Sequence, residues 1–518
     1  MNLEGQFFET VIIGSGFSGL LAAIRLKKKG ADDFVLLERE SEIGGTWQNN
    51  SYPGAEVDIP TGLYSFSFTN YKFKKRYAPQ RELLAYTNDI IDQFDLRKST
   101  RANQEVTQVT YDEAACLWHV EVASGERYTT RFIIDTSGVL ANPNTPYIKG
   151  AESFQGEAFH TAEWDHSVSY EGKNVGVIGS GCSATQVVPA IAKQVGKLTV
   201  FMGTPEWILP RSDRSYSGIE QTFMNLPGIR QLNRFIIFLI HELRFIGFRR
   251  YPFTIKLSGF IKYFYKLSLQ NNLKKYIRDD KVRAYMMPDY ELGCRRVIPS
   301  NAYLPALARE NVEVDISGIE AITPIGIRTK AGQDIPLDII VYATGYFAYS
   351  NVKKMLSFQV YGRDGRHLNS EWEAGAVSYK GITVSGYPNY FKINGPNTGT
   401  GHSSQISYME TMVNYAADAI CAIKLDKSIK AIEVKSAVQR DYVAKMKATM
   451  KSTVWQNGSC KSFYRTDKTG EVSSLSPESM VHFIFSRKWF HLDDYLLLKG
   501  EGGQPDQNAC EHQMSPLT

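Results

Sequence analysis

The chain has 518 residues, 43% of them hydrophobic and 22% charged, which is too long for one core and predicts two or three domains of an ordinary globular enzyme. Its 59 basic and 54 acidic residues leave a net charge of only +5, and the tyrosines and phenylalanines are scattered rather than interleaved with a basic stripe, which argues against nucleic acid as a partner. The six cysteines form no C-x-x-C pair, so neither a redox dithiol nor a zinc knuckle is expected. Met1 to Thr10 has no apolar leader core and no apolar run reaches membrane-spanning length, so a reducing, cytoplasmic location is the default expectation.

Thr10 to Ile13 is a short β-branched run, followed at once by Gly14-Ser15-Gly16-Phe17-Ser18-Gly19 and a helical stretch from Leu20 to Lys29. Strand, glycine turn and helix stand in the order of a dinucleotide fingerprint, in which Gly14, Gly16 and Gly19 allow the turn and the helix N-terminus faces a pyrophosphate. A second strand, Phe34 to Leu37, ends at Glu38, near the place of a carboxylate that accepts hydrogen bonds from ribose hydroxyls. From Arg81 to Phe94 the apolar residues fall at helical spacing and predict core packing. Val106 to Val109 and Leu117 to Val122 read as strands of an inserted sheet, and the strand ending at Ser137-Gly138 leads into the proline-containing run 142–146, a crossing out of the first domain.

Between the two glycine signatures lies Phe154-x-Gly156-x-x-x-His160-x-x-x-Trp164-Asp165. Read alone, His160 and Trp164 would merely pack in a linker. Beyond it, the strand Asn174 to Ile178 runs into Gly179-Ser180-Gly181-Cys182-Ser183-Ala184 and a helix through Ala192. Ala184 stands at the third glycine position, which serves helix–strand packing more than phosphate approach, so a second dinucleotide site is expected. The strand Leu198 to Met202 then leads to Gly203-Thr204-Pro205. From Ser217 to Asp289 the chain is rich in Phe, Ile, Leu and basic residues, including the apolar runs 235–240 and 260–265. Amphipathic helices that cap the active site, their apolar faces building a substrate entrance, are the expectation. The interleaved Arg244, Arg249, Arg250, Lys256, Lys262 and Lys266 leave a peripheral membrane contact as the alternative.

The order glycine loop, F-x-G-x-x-x-H-x-x-x-W-D, glycine loop resembles the type I Baeyer-Villiger monooxygenases, flavoenzymes that insert oxygen beside a ketone. Gly44-Gly45-Thr46-Trp47, then Tyr52-Pro53-Gly54-Ala55 with Asp58, then Tyr64-Ser65-Phe66-Ser67-Phe68 resemble the flavin-contacting segment of class B flavin monooxygenases. Pro288-Asp289-Tyr290 with Gly293-Cys294-Arg295-Arg296, the strand Asp338 to Tyr346 with Ala343-Thr344-Gly345, and the segments 386–391 and 395–404 extend the likeness over nearly the whole chain. The last of these, together with Trp455, Gly458, Cys460, Ser462, Phe463 and Tyr464, is similar to the 4-hydroxyacetophenone monooxygenase-like branch.

The resemblance implies FAD in the first site and NADPH in the second, with NADH as an alternative because Gly203 stands where relatives place an arginine for the 2′-phosphate and only Arg295 offers a replacement charge. It implies reduction of FAD by NADPH, reaction with O2 to a C4a-peroxyflavin, and conversion of a small-molecule ketone or other lipophilic substrate to an ester or lactone. Arg296 would hold the developing negative charge, Asp58 would orient Arg296, and His160 with Trp164 would couple nicotinamide binding to domain movement. Gly45, Thr46, Trp47, Tyr64, Thr344 and Gly345 are expected around the flavin; Gly179, Gly181, Ser183, Ala184, Thr204 and Arg295 around the nicotinamide dinucleotide. Glu56-Val57 departs from the family's usual Arg-Cys and points to a different substrate pocket. No metal is expected. N- or S-oxygenation, or a flavoprotein that no longer oxygenates, are the rival readings. The expected fold is α/β, with two Rossmann-like dinucleotide-binding domains: FAD-binding over 1–146 and 345–518, NADP-binding over 147–216 and 290–344, with a helical insertion over 217–289.

Overall fold

The computed structural model describes residues 5–224, 226, 228–249, 252–347, 356–458, 464–465 and 470–499, with the side chains of 252–258 excepted. In chain order, strand β1 (Gln6–Ile13) feeds α1 (Phe17–Lys28), then β2 (Phe34–Leu37), a short α2 (Thr46–Asn49) and α3 (Gln80–Gln93). Next come β3 (Thr100–Arg101), β4 (Val106–Asp112), β5 (Leu117–Val122), β6 (Arg127–Asp135), β7 (Glu157–His160), β8 (Asn174–Ile178), α4 (Cys182–Ile191), β9 (Lys197–Phe201) and β10 (Ile208–Leu209). The insertion supplies α5 (Gly218–Met224), α6 (Ile229–Phe245), α7 (Pro252–Tyr276) and α8 (Asp280–Tyr285). The chain then returns through β11 (Ile298–Pro299), α9 (Tyr303–Leu307), β12 (Val312–Asp315), the hairpin strands β13 (Ile319–Thr323), β14 (Gly326–Thr329) and β15 (Asp334–Pro336), and β16 (Ile339–Tyr342). It closes with β17 (Gln359–Tyr361), α10 (Leu368–Glu371), β18 (Tyr390–Lys392), α11 (Gln405–Leu425), β19 (Ile429–Val434), α12 (Ser436–Met450), α13 (Val454–Asn457), α14 (Met480–Ser486) and β20 (Tyr495–Lys499).

Two sheets organise these elements. The first runs β17-β4-β5-β6-β1-β2-β3, with β18 also paired to β6; its β6-β1-β2-β3 part is parallel, and β4 and β5 form the antiparallel insert. The second, β12-β9-β8-β16-β7, is parallel throughout. Parallel strands need crossovers that cover both faces, which is why Val11, Ile12, Leu36, Ile133 and Ile134 in the first sheet and Val175, Val177, Val200 and Val341 in the second are apolar and fully or nearly fully buried. Leu20 to Ile24 of α1 are likewise wholly inaccessible, because α11 packs across the outside of that helix. This is the two-Rossmann α/β fold, each half with its own sheet.

The F-x-G-x-x-x-H-x-x-x-W-D stretch is more than a linker. Its first half is β7, the edge strand of the second sheet, paired in parallel with β16 from Glu157↔Ile339 to His160↔Tyr342. The two crossings between the sheets run side by side: Asn144 N–H donates to Gly345 O at 2.8 Å, Thr344 Oγ1 to Asn144 O at 2.6 Å, and Phe347 N–H to Asn142 O at 3.0 Å.

The insertion departs from expectation. Of the apolar run 235–240 only Ile237 is buried, while Phe235, Ile236, Leu239 and Ile240 face solvent, as do Phe260, Ile261, Tyr263 and Phe264 in the second run. The apolar faces thus do not close on an entrance; α6 is held instead by its other face, through Arg234, Ile237 and His241. Arg250 and the Lys256 side chain lie outside the described residues. No helix among the described residues is long and apolar enough to cross a membrane.

Candidate active site

The first glycine loop borders a cleft lined by Gly14, Gly16, Glu38, Gly45, Thr46 and Tyr64 among others. Gly16 and Gly45 meet at its floor: a Cβ on Gly45 would lie 2.6 Å from the Gly16 Cα, and Gly45 has φ +57°, so glycine is required there for both space and conformation. Trp47 donates through Nε1 to the Tyr64 hydroxyl at 3.2 Å and meets that ring edge-on. Glu38 is buried at the end of β2, and its carboxylate accepts from the Ser15 amide (2.9 Å) and Ser15 hydroxyl (2.6 Å), which fixes it at the rim of the glycine turn. A backbone-lined, glycine-floored cleft with one anchored carboxylate fits a dinucleotide such as FAD.

The loop after Trp47 carries Asp58 to the second domain. Gly54, with φ +84°, lies so close to α4 that a Cβ would come within 2.4 Å of Gln186 O; Tyr52 donates to Gln186 Oε1 at 2.7 Å and Gln186 donates to Glu56 O at 2.8 Å. Glu56, one of the two unusual residues of this loop, is paired with Arg211 at 2.6 Å. Asp58, held by this mooring, meets Arg296 from the far side of the insertion: Arg296 Nε and an Nη both reach Asp58 Oδ2 at 2.6 Å. The Tyr464 hydroxyl lies within electrostatic reach of the same guanidinium. Arg296 is pushed still further above its ordinary range, first by the Asp58 charge and against the cost of burial, so it is a permanent cation. Burial raises the nearby Tyr64 and Tyr464 hydroxyls to about 12, and the Cys182 thiol likewise to about 12, which keeps all three neutral.

The remaining site residues fall in three places. Gly179 and Gly181 lie in the turn between β8 and α4, and Ser183 and Ala184 in the first turn of α4, where Ala184 is wholly buried as packing requires. Thr204 follows β9, its carbonyl accepting from the Ser180 hydroxyl at 2.6 Å. Arg295 is not presented as an open phosphate ligand: one Nη is paired with buried Glu206 at 2.9 Å, while Nε and the other Nη are buried with no hydrogen-bond partner among the described residues. Burial raises the Glu206 carboxyl to about 7 against the opposing pull of Arg295 and the Tyr290 hydroxyl, which donates to it at 2.9 Å.

His160 and Trp164 stand apart from that group. His160 is buried, its Nδ1 accepting from the Ala162 amide at 3.0 Å and its ring edge-on to Tyr346, whose hydroxyl bonds Asn50 at 2.5 Å. Burial lowers the His160 pKa, favouring the neutral ring. Trp164 packs edge-on against Phe159 and Tyr170 within the core of the second domain.

Sequence reading placed Tyr290 in the segment of Arg296 without a role, and missed Glu206 and His241 as neighbours of the site, because tertiary packing carries them there. It also missed that Cys294 is disulfide-bonded, which a uniformly reducing setting does not anticipate. Cys460, Ser462 and Phe463 lie outside the described residues.

The family model described as pyridine nucleotide-disulphide oxidoreductase matches residues 11–226, which takes in both glycine loops. A Baeyer-Villiger monooxygenase of Streptomyces coelicolor is 36% identical over 98% of this chain and 96% of its own length, and one of Pseudomonas aeruginosa is 38% identical over 94% and 91%. The chain belongs to the Baeyer-Villiger monooxygenases. The crystal structure of cyclohexanone monooxygenase from a Rhodococcus species bound to NADP+ superposes with a TM-score of 0.83 at 25% identity, covering 96% of this chain and 100% of that one. Oxidized steroid monooxygenase bound to NADP gives a TM-score of 0.82 at the same identity and coverage. The chain is thus a flavin-dependent NADPH monooxygenase that acts on a small-molecule substrate with O2.

Proposed function

We propose that the Asp58–Arg296 pair is the charge-stabilising centre at which a ketone is converted to an ester or lactone. The observation that carries this reading is the hydrogen-bonded ion pair at 2.6 Å between a loop of the flavin domain and a segment beyond the insertion. FAD, reduced by NADPH, supplies the oxygen-activating chemistry. The protein's own residues do the rest. Gly16 and Gly45 admit the flavin, and Asp58 fixes the guanidinium plane. Arg296 then stabilises negative charge as it develops on the carbonyl oxygen. His160, at the paired crossings, positions one domain against the other.

The test measures ester formed and NADPH consumed with a panel of ketones, amines and sulfides. Ester in near-stoichiometric yield from ketones supports the reading; oxygenation of only amines or sulfides, or hydrogen peroxide as the sole product, overturns it.

Arg295 is the group we assign to the 2′-phosphate of NADPH, restrained by Glu206. With the Glu206 carboxyl titrating near 7, the restraint is complete above that pH and loosens below it. Glu206→Gln is therefore expected to improve the KM for NADPH relative to NADH on the order of tenfold at pH 8, the worth of one charge-assisted hydrogen bond. The wild type is expected to approach the variant as pH falls below 7. An NADPH/NADH ratio that ignores both the substitution and the pH removes Arg295 from phosphate recognition.

A further inference from the structure

Helix α6 is amphipathic with its apolar stripe on the outside. Leu232, Phe235, Ile236, Leu239, Ile240 and Leu243 recur at i, i+3, i+4, i+7, i+8 and i+11, one continuous helical face, and are 44–58% exposed. The opposite face moors the helix: Arg234 donates to Ser65 O at 2.8 Å, Ile237 packs beside Val57 and Leu63, and His241 bonds His402 O at 2.8 Å. The stripe therefore cannot turn inward without breaking those bonds. Helix α5, which packs against α6, adds exposed Ile219 and Phe223, and α7 adds Phe260, Tyr263 and Phe264. Isolated exposed apolar residues are ordinary, but a row of this kind marks a surface that something covers.

Charge identifies the cover. Between Ile229 and Tyr276 stand ten basic residues and a single acidic one, Glu242, a local net charge of +9 in a chain whose total is +5, so that the rest carries a net −4. Glu242 is itself turned away to accept the Met480 amide at 3.0 Å, whereas Arg244, Lys266, Lys274 and Lys275 are exposed. A second copy of the chain, paired about a two-fold axis, would bring this cationic face against itself. A bilayer bearing anionic headgroups complements both features: the apolar stripe enters the headgroup–acyl boundary and the cations meet phosphate. We infer that α6, with the exposed parts of α5 and α7, seats the enzyme on an anionic membrane surface without crossing it.

Flotation of the full-length, flavin-loaded protein tests this, with phosphatidylcholine vesicles containing about a quarter phosphatidylglycerol and with phosphatidylcholine alone. The wild type is expected to float with the anionic vesicles, to do so far less with the neutral ones, and to be released by salt. Phe235→Ser with Leu239→Gln should lower the partition coefficient by more than about tenfold. Arg244→Gln and Lys266→Gln should lower it by on the order of fivefold each. Unchanged flavin absorbance and melting temperature show that the variants fold. A wild type that stays in solution with both vesicle types overturns the inference, as does binding that the stripe and cation variants leave unaltered. A dimer that the stripe substitutions split, with no vesicle binding, would assign the face to a second copy instead.

Discussion

Arg296→Ala is expected to abolish ester formation, by on the order of 10³-fold or more, while NADPH is still oxidised and its reducing equivalents emerge as hydrogen peroxide. The geometry separates these two outcomes. Arg296 is held by Asp58 where the flavin loop meets the segment beyond the insertion, whereas the glycine turns that admit the two dinucleotides lie at the N-termini of α1 and α4. Removing the guanidinium therefore leaves the cofactor sites intact and takes away the one permanent cation shown at the Asp58 contact. Arg296→Lys keeps a charge but loses the fork that engages Asp58 through both Nε and Nη, so it should recover only a small part of the rate. Asp58→Asn keeps the shape of the contact without its charge, and an intermediate loss of about 10- to 100-fold is expected. Product and NADPH are followed together under saturating ketone. Ester formation by Arg296→Ala at the wild-type rate would remove Arg296 from the chemistry.

The parts of this site that could be read from the sequence are those that local physics writes into consecutive residues. Gly14 and Gly16 follow a β-branched run and Gly19 sits in the first turn of a helix, so strand, turn and helix could be placed in order, with the strand's end exact, its start four residues late and the helix start three residues late. The same holds for Asn174–Ile178 and the turn at Gly179. Arg296 and Asp58 were legible only through family resemblance, since 238 residues separate them and nothing local says that they touch. The insertion misled for a physical reason. A 3.6-residue apolar period reports that a helix has an apolar face, and the usual inference is that this face points to the core. On α6 the inner face is instead built from Arg234, Ile237 and His241, and the apolar stripe points out. The pairing of Arg295 with Glu206 was invisible for the same reason as Asp58–Arg296: a buried ion pair between distant segments leaves no periodic trace.

Asp135→Leu is expected to destabilise the enzyme by roughly 3–5 kcal/mol, a fall in melting temperature of about 3–5 °C, although Asp135 is not among the residues placed in the chemistry. Asp135 ends β6 and is wholly buried, as is Lys392 at the end of the neighbouring β18. Their contact is 3.0 Å, and the surrounding donors complete it: Tyr390 O–H donates to Oδ2 at 2.6 Å, and the Ser137 amide and hydroxyl to Oδ1 at 3.0 and 2.7 Å. Removing the carboxylate strands an ammonium in a site with no water-accessible surface, which costs more than the intact pair contributes. The double replacement Asp135→Leu with Lys392→Met removes both charges together and should recover most of the lost stability. The network is also positioned to matter for the flavin, because Lys392 donates to the Ser137 hydroxyl at 3.1 Å and Ser137 lines the cleft. Even the restabilised double variant should therefore bind FAD more weakly. Thermal melts of the apo and flavin-loaded forms separate the two effects: a double variant as unstable as the single one would show that Asp135 acts through packing rather than charge, and unaltered FAD affinity would confine the pair to holding β18 on β6.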